Sequence, residues 1–439
     1  MLEILADRTY RHLFAAQVVA LLGTGLATVA LGLLAYDLAG DDAAMVLGTV
    51  LTIKMVAYVG IAPVAAAFAE RIDRRVLLVG LDVVRAAVAL CLPFVTTVWQ
   101  VYLLIFLLQS ASAAFTPTFQ ATIPDVLPEE GRYTRALSLS RLAYDLENIV
   151  SPTLAALLLA LASYETLFLG TVLGFVASAS LVLSVLLPDP KPATPRRLHE
   201  RTTRGLRLYL ATPRLRGLLA LNLAAAAAGA MVLVNSVVLV RGTLGLPESA
   251  LAWTMLAFGA GSMLAALALP RALERMADRP VMVGGAALMV LTLLGLAGDV
   301  AARGLGWPAL CGAWLLVGLS YSAVLTPSGR LLRRSVHPED RAAIFAAQFA
   351  LSHACWLVTY PLSGWVMTRF GAVTVLVALA ALAGTAIVAA WRLWPTEDPE
   401  ILEHTHENLP LDHPHLDGER RHAHSFVIDD DHPRWSSRL

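Results

Sequence analysis

Seven of the eleven histidines lie between residues 404 and 432. They form three His-x-His units, His404/His406, His413/His415 and His422/His424, each nine residues after the one before, and then His432. Acids are interleaved: Glu403, Glu407, Asp412, Asp417 and Asp429 to Asp431. In an extended chain residues i and i+2 project to one side, and Pro414 favours extended backbone. Imidazole with carboxylate, and without thiol or thioether, suits borderline divalent ions such as nickel, cobalt, zinc or copper(II) rather than copper(I). All seven are therefore candidate metal ligands. The bland alternatives are a disordered pH-responsive tail and an appended tag. The dispersed spacing and the following SFVIDDDHPRW argue against the tag.

A second group of chemistry-bearing residues sits inside apolar runs: Lys54, Asp145, Glu147, His353 and Cys355. Ionisable groups in such runs are costly and mark functional positions by default. Counting ~1.5 Å per residue from the run ends puts all five near one middle depth. Asp145 and Glu147 are separated by roughly 200° around a helix, so one ligand cannot face both well. Asp145 stacks on Arg141 at i,i+4 spacing. Two readings stay open. In one, an Arg141–Asp145 bridge and a Lys54–Glu147 pair hold helices together. In the other, Asp145 or Glu147 carries a proton that Lys54 or a cation displaces. His353 reads either as a satisfied core histidine or as a ligand beside Cys355. Asp82 and Arg85, three apart, read as a structural pair.

The elements that must position these groups are membrane spans. The chain has 439 residues, 57% hydrophobic and 15% charged, with 33 Lys plus Arg balancing 33 Asp plus Glu. A soluble chain carries about 25% charge. Twelve apolar runs reach spanning length, about 20 residues each: 12–37, 43–69, 76–97, 99–119, 136–161, 165–187, 215–240, 248–270, 280–300, 307–328, 342–367 and 371–394. Backbone polar groups must be satisfied within lipid, so the runs are helices, and the fold class is all-α and polytopic. The first run follows a polar, mixed-charge start with no cleavage-site pattern and reads as a retained span. Cys91, Cys311 and Cys355 are odd in number and lie in apolar runs, so no disulfide framework or CxxC metal motif follows. Nothing points to nucleic acid, to a cofactor or to an enzyme, and the oligomeric state stays open, a monomer being compatible with the sequence.

Arginine placement sets orientation. Alternate loops carry Arg71, Arg74 and Arg75; Arg132 and Arg135; a basic segment from Lys191 to Arg216; Arg271, Arg275 and Arg279; and Arg330, Arg333, Arg334 and Arg341. The intervening loops carry at most one base each. The positive-inside rule then places both termini in the cytoplasm of a bacterial-type inner membrane. The expected organisation is a bundle over 1–187, a cytoplasmic linker over 188–214, a second bundle over 215–394 and a His-rich tail over 395–439. The linker opens on PDPKPATP and continues as a basic, amphipathic helix expected at the membrane surface.

The two bundles are repeats. Thr116-Pro117 and Pro128-Glu129-Glu130 recur as Thr326-Pro327 and Pro338-Glu339-Asp340, 210 residues later. Arg132 and Pro152 recur as Arg341 and Pro361. Ala66–Arg75 recurs as Pro270–Arg279, with Glu70-Arg71 matching Glu274-Arg275.

Twelve spans with this loop in each half resemble the major facilitator superfamily, whose loop pattern is G-x-x-x-D-R-x-G-R-R. Here Ala66, Glu70, Arg71, Asp73, Arg74 and Arg75 stand at its positions, with both glycines lost. The stretch from Thr116 to Pro152 is similar to the drug/proton antiporter branch, with Ser151-Pro152 in place of Gly-Pro and Ala155-Ala156 in place of later glycines. The tail resembles the His-rich cytoplasmic tails of nickel/cobalt-exporting facilitators. The resemblance implies two six-helix bundles rocking about a central site, with Gln17, Gln109, Asn222 and Asn235 on cavity-lining spans. It implies a secondary efflux transporter. The substrate expected is a divalent metal exchanged for protons. The alternatives are an exporter of drugs or other small amphipathic molecules, and a membrane metal sensor that does not transport.

Overall fold

The computed structural model describes residues 2–39, 43–69, 72–159, 163–188, 198–398, 401–405, 415–416, 421–432 and 435. Apart from one two-stranded sheet, its long elements are helices. Six long helices come first: α1 (Arg8–Ala39), α2 (Ala43–Ala69), α3 (Arg74–Cys91), α4 (Val98–Val126), α5 (Glu130–Leu159) and α6 (Glu165–Leu183). Then follow α7 (Leu198–Ala211), α8 (Pro213–Val237), α9 (Glu248–Leu273), α10 (Asp278–Arg303), α11 (Trp307–Leu325), the short α12 (Ser328–Arg334) and α13 (Arg341–Leu393).

Among the described residues, ten helices are long and apolar enough to cross a membrane. Two facts raise that to the twelve passes expected. α13 breaks at Gly371, whose φ of 79° only glycine adopts freely, so its arms at 341–370 and 372–393 are separate passes. α5 is 30 residues long but carries Glu130, Arg132, Arg135, Arg141, Asp145 and Glu147, which keep its mean hydropathy low. Its helix starts at Glu130, ahead of the expected run at 136, because the first turns are polar rather than lipid-facing.

The first six helices pack chiefly on one another, α1 against α5 and α6, α3 against α4 and α6, and α2 against α4. The second six do the same, α8 against α13, α9 against α11, and α10 against α11 and α13. Between the halves, α2 meets α13 and α5 meets α9. With little hydrophobic drive between helices in lipid, such packing relies on small residues. A Cβ on Gly261 of α9 would sit 1.9 Å from the Leu315 carbonyl oxygen, and one on Gly318 of α11 would sit 1.9 Å from that of Phe258.

α7 packs on α13 and on α2, touching both halves. Gly205 lies so close to α13 that a Cβ would fall 2.1 Å from the Ala343 carbonyl oxygen. Leu208 and Tyr209 are buried, and the Tyr209 hydroxyl donates to Gln348 Oε1 at 2.5 Å.

The described part of the tail forms a hairpin. β1 (Ile401–Thr405) pairs antiparallel with β2 (Arg421–Ser425). Leu402, Phe426 and Ile428 join the core of the second half. Asp398 accepts from Trp394 Nε1 at 3.2 Å and pairs with Arg214 and Arg334, and Arg214 lies over the Trp435 ring.

Gly318→Ala is expected to cost about 1–3 kcal/mol by forcing α9 and α11 apart. Gly312→Ala, whose Cβ meets nothing within 4 Å, is the control and should leave stability unchanged. Thermal unfolding of both purified variants in detergent checks this.

Candidate functional site

Three sets of polar residues lie along the bundle, and the first closes its end. That end carries η1 (Leu2–Ala6), the α2–α3, α4–α5 and α9–α10 connections, α12 with the segment leading into α13, and the tail. Asp73 caps α3 by accepting from the Val76 amide at 2.8 Å, which aims Arg74 inward. Arg74 and Arg341 both bind Asp125 at the end of α4, Arg74 at 2.5 Å. Arg341 belongs to the second half, so Asp125 joins the halves. The counterpart is Arg330, which reaches Asp278 at 3.0 Å and Glu130 at 2.6 Å and donates to Thr134 Oγ1 at 2.8 Å. Arg333 adds a bond to the Pro128 carbonyl and lies over the Tyr133 ring. Of the loop residues expected to act here, Glu70 and Arg71 lie outside the described residues. Arg75 bonds the Leu183 carbonyl. Glu274 and Arg275 are exposed at the end of α9.

The middle depth holds the second set. Asp145, 1% exposed, binds Arg141 at 2.7 Å, and Arg141 Nε donates to Ser262 Oγ of α9 at 2.9 Å. Arg141 also lies 4.8 Å over Tyr321, which neighbours Phe258 and Trp356, and Trp356 neighbours Tyr360. Lys54 Nζ sits 5.5 Å from the Tyr58 ring centroid. Tyr58 donates to Gln109 Oε1 at 3.0 Å and packs on Phe349 and His353 of the other half. His353 Nδ1 is 2.7 Å from the Phe349 carbonyl, so it donates there and leaves Nε2 as the acceptor. Glu147 lies beside α1 at Gly25.

The five groups therefore share a depth but not a face. Lys54 and His353 gather around Tyr58. Asp145 turns toward α9, whereas Glu147, beside α1, stays within reach of the Lys54 charge, as His353 does. Cys355, two residues on from His353, is buried at 9% exposure. Gln17 accepts from Ser140 Oγ at 3.0 Å, Asn222 donates to the Leu218 carbonyl, and Asn235 donates to Ser363 Oγ at 2.7 Å. The Asp82–Arg85 pair is buried in the first half, with Arg85 between the rings of Phe115 and Phe175.

The third set is in the tail. Strand register sets His404 opposite His422, and His424 follows at i+2. His415 Nε2 lies 3.2 Å from His422 Nε2 and 3.1 Å from His424 Nε2. Ligand nitrogens of His404, His415, His422 and His424 all fall within 4.8 Å of one another. A tetrahedral ion with bonds of about 2.0–2.1 Å needs nitrogens about 3.3 Å apart, close to the separations of His415 from His422 and His424. His432 Nε2 is 3.0 Å from His404 Nε2, and Asp429 accepts from His432 Nδ1 at 2.8 Å. A carboxylate behind an imidazole fixes its tautomer and orients it. Burial, and then the neighbouring imidazoles, hold His404 and His415 below the ordinary histidine range, so both are neutral donors near pH 7. His406 and His413 lie outside the described residues. Among the described residues these four histidines are the one group of three or more His, Cys, Asp or Glu side chains spaced to hold a metal.

Sequence reasoning missed Asp125, Arg330 and Asp278 as a connected system. Their partners are remote in sequence, 216 residues apart for Asp125 and Arg341. The available signal was the repeat itself, which sets Arg74 and Asp278 at equivalent helix starts.

Asp125→Asn leaves two guanidiniums facing each other, and breaking such a pair costs about 3–5 kcal/mol. The expected result is a more open end, read as faster maleimide labelling of a cysteine introduced at Phe349, which is buried between the halves. Labelling as slow as in the Phe349→Cys parent would contradict this role.

The sequence profile of the Major Facilitator Superfamily matches twice, over residues 13–236 and 218–421. Macrolide efflux protein A of Streptococcus pyogenes is 28% identical over 181 residues, 40% of this chain and 44% of that protein. The chain thus spans less than half the length of that relative. The human organic anion transporter MFSD10 (TETRAN) superposes with a TM-score of 0.74 at 12% identity, over 87% of this chain and 99% of that one. A bacterial homologue of the iron transporter ferroportin, in an outward-facing state, gives 0.72 at 13% identity, over 88% and 99%. These two likenesses show the fold: an all-helical, twelve-pass bundle of two related halves. The chain belongs to the Major Facilitator Superfamily, whose members are multi-pass membrane transporters and not enzymes.

Proposed function

We propose that the protein exports a divalent metal cation, nickel or cobalt, in exchange for protons, with both termini in the cytoplasm of an inner membrane. The observation that carries this reading is the convergence of four imidazoles on one point at the end where the tail docks. Nitrogen ligands without thiolate suit these ions. The arginine-rich loops lie at the same end, which the positive-inside rule makes cytoplasmic. In this reading the clasped form is closed to the cytoplasm. Opening breaks the Asp125 and Arg330 bridges, admits the ion to middle depth, and brings it to Glu147 and His353. Re-closure and protonation of Glu147 release it outward. Proton and metal compete for the same lone pairs, so exchange has a direct physical basis. Asp145, held by Arg141 and Ser262, couples α5 to α9 during the rocking step.

A second reading has its own support. The aromatic wall of Phe258, Tyr321, Trp356 and Tyr360 beside Arg141 suits an amphipathic organic molecule. The similarity to macrolide efflux proteins favours it too. The fold serves both readings.

Inverted vesicles separate them. Uptake of nickel or cobalt should follow an imposed proton gradient and collapse with a protonophore. Glu147→Gln should reduce uptake to the level of empty vesicles. Uptake of a macrolide with no metal uptake would replace the metal reading by the organic one. Metal resistance that needs the tail histidines but survives Glu147→Gln and Asp145→Asn would point to a sensor.

A further inference from the structure

The tail cluster is wired to the clasp that closes the bundle. From His404, His432 lies at 3.0 Å, and His432 is held by Asp429 through both its ring and its amide nitrogen, at 2.8 and 2.7 Å. The second oxygen of Asp429 meets His337 Nε2, in the segment before α13, at 3.1 Å. The next residue, Asp430, binds Arg204 Nη1 of α7 at 3.1 Å. Arg204 also grips Asp340, with Nη2 at 2.7 Å. Asp340 directly precedes Arg341, the residue that bridges to Asp125 of the first half. α7 itself touches α2 and α13, one from each half. The path from imidazole cluster to clasp is thus a run of polar contacts and one peptide link along three segments.

We propose that a metal ion held by His404, His415, His422 and His424 is a brace on this clasp. Metal occupancy presses the 429–430 arm against His337 and Arg204, and so favours the closed form of the terminal end. The inference rests on the tail being a metal site and adds a regulatory role to it.

The physical grounds are local. Two five-residue strands are marginal alone, whereas one ion joins ligands from β1, from His415 and from β2. Ordering β2 orders the arm, because Phe426, Val427 and Ile428 between them are buried. A ligand that binds one form better shifts the population toward it. The coupling is reciprocal. The closed form holds tail metal more tightly, and opening loosens it. Metal is then released beside the mouth that has just opened.

Hydrogen exchange on the full-length protein in nanodiscs, with and without nickel, tests this alongside calorimetric binding of nickel. At a hundredfold excess over Kd, exchange in 198–211 and 335–342 should slow about tenfold. His415→Ala with His424→Ala should remove both binding and protection. His337→Gln with Asp430→Asn should keep nickel binding and lose protection in those two segments. Nickel bound with exchange there unchanged overturns the brace and leaves the tail a metal site. Protection that persists in the His337→Gln, Asp430→Asn variant overturns the route. No nickel bound by the wild type overturns the metal-site reading, and the brace with it.

Discussion

Two three-residue ion clusters hold the halves together, and they are charge-inverted copies. In one, a carboxylate sits between guanidiniums: Arg74, Asp125, Arg341. In the other, a guanidinium sits between carboxylates: Asp278, Arg330, Glu130. Arg74 and Asp278 open the third span of their respective halves, and Arg341 and Glu130 open the fifth span of the opposite half. One cluster has excess positive charge and the other excess negative. Each still ties two helices of one half to one of the other, and these halves must part when the end opens. Apart from the exposed Glu130 carboxylate, these are largely buried ion pairs, which contribute little net stability over an apolar substitute. They give a closed form that is well defined and can be left at modest cost, because water meets the charges once the end opens.

Inside that frame the middle depth is divided. Arg141 and Asp145 balance each other and reach α9 through Ser262. Lys54 and His353 gather on Tyr58, where α2 meets α13. Both groupings straddle the halves. Any change in protonation or occupancy at this depth is therefore felt across the same contacts that rocking must break. The tail adds a further set of charges outside the membrane, joined to α7 and to the start of α13.

Much of this was legible in the sequence, and the reasons differ by residue. The repeat of Thr-Pro, Pro-Glu and Arg revealed the halves, because duplication preserves scaffold spacing. The Arg141–Asp145 and Asp82–Arg85 bonds followed from helical spacing alone. Cys355 follows His353 by two residues, so the same angular arithmetic that separated Asp145 from Glu147 applies to it. Reading depth without azimuth grouped them. Asp125 was hidden for another reason: its partners lie 51 and 216 residues away, and no local rule reaches that far. The tail hairpin was hidden because its strands are short and charged. What orders them is burial of Leu402, Phe426 and Ile428 on a core built elsewhere.

The charge carried by α5 also bears on how the chain enters a bilayer. A single charged residue at mid-membrane costs about 2.5–3.5 kcal/mol on insertion scales, and α5 brings Arg141, Asp145 and Glu147 to that region. Their internal bridge lowers the cost, but the rest is relieved only by neighbours. Those neighbours are α1, already made, and α9, translated roughly a hundred residues later. Biogenesis of the first half is thus incomplete until part of the second has arrived. A truncation between them should leave α5 exposed to the cell's membrane quality control.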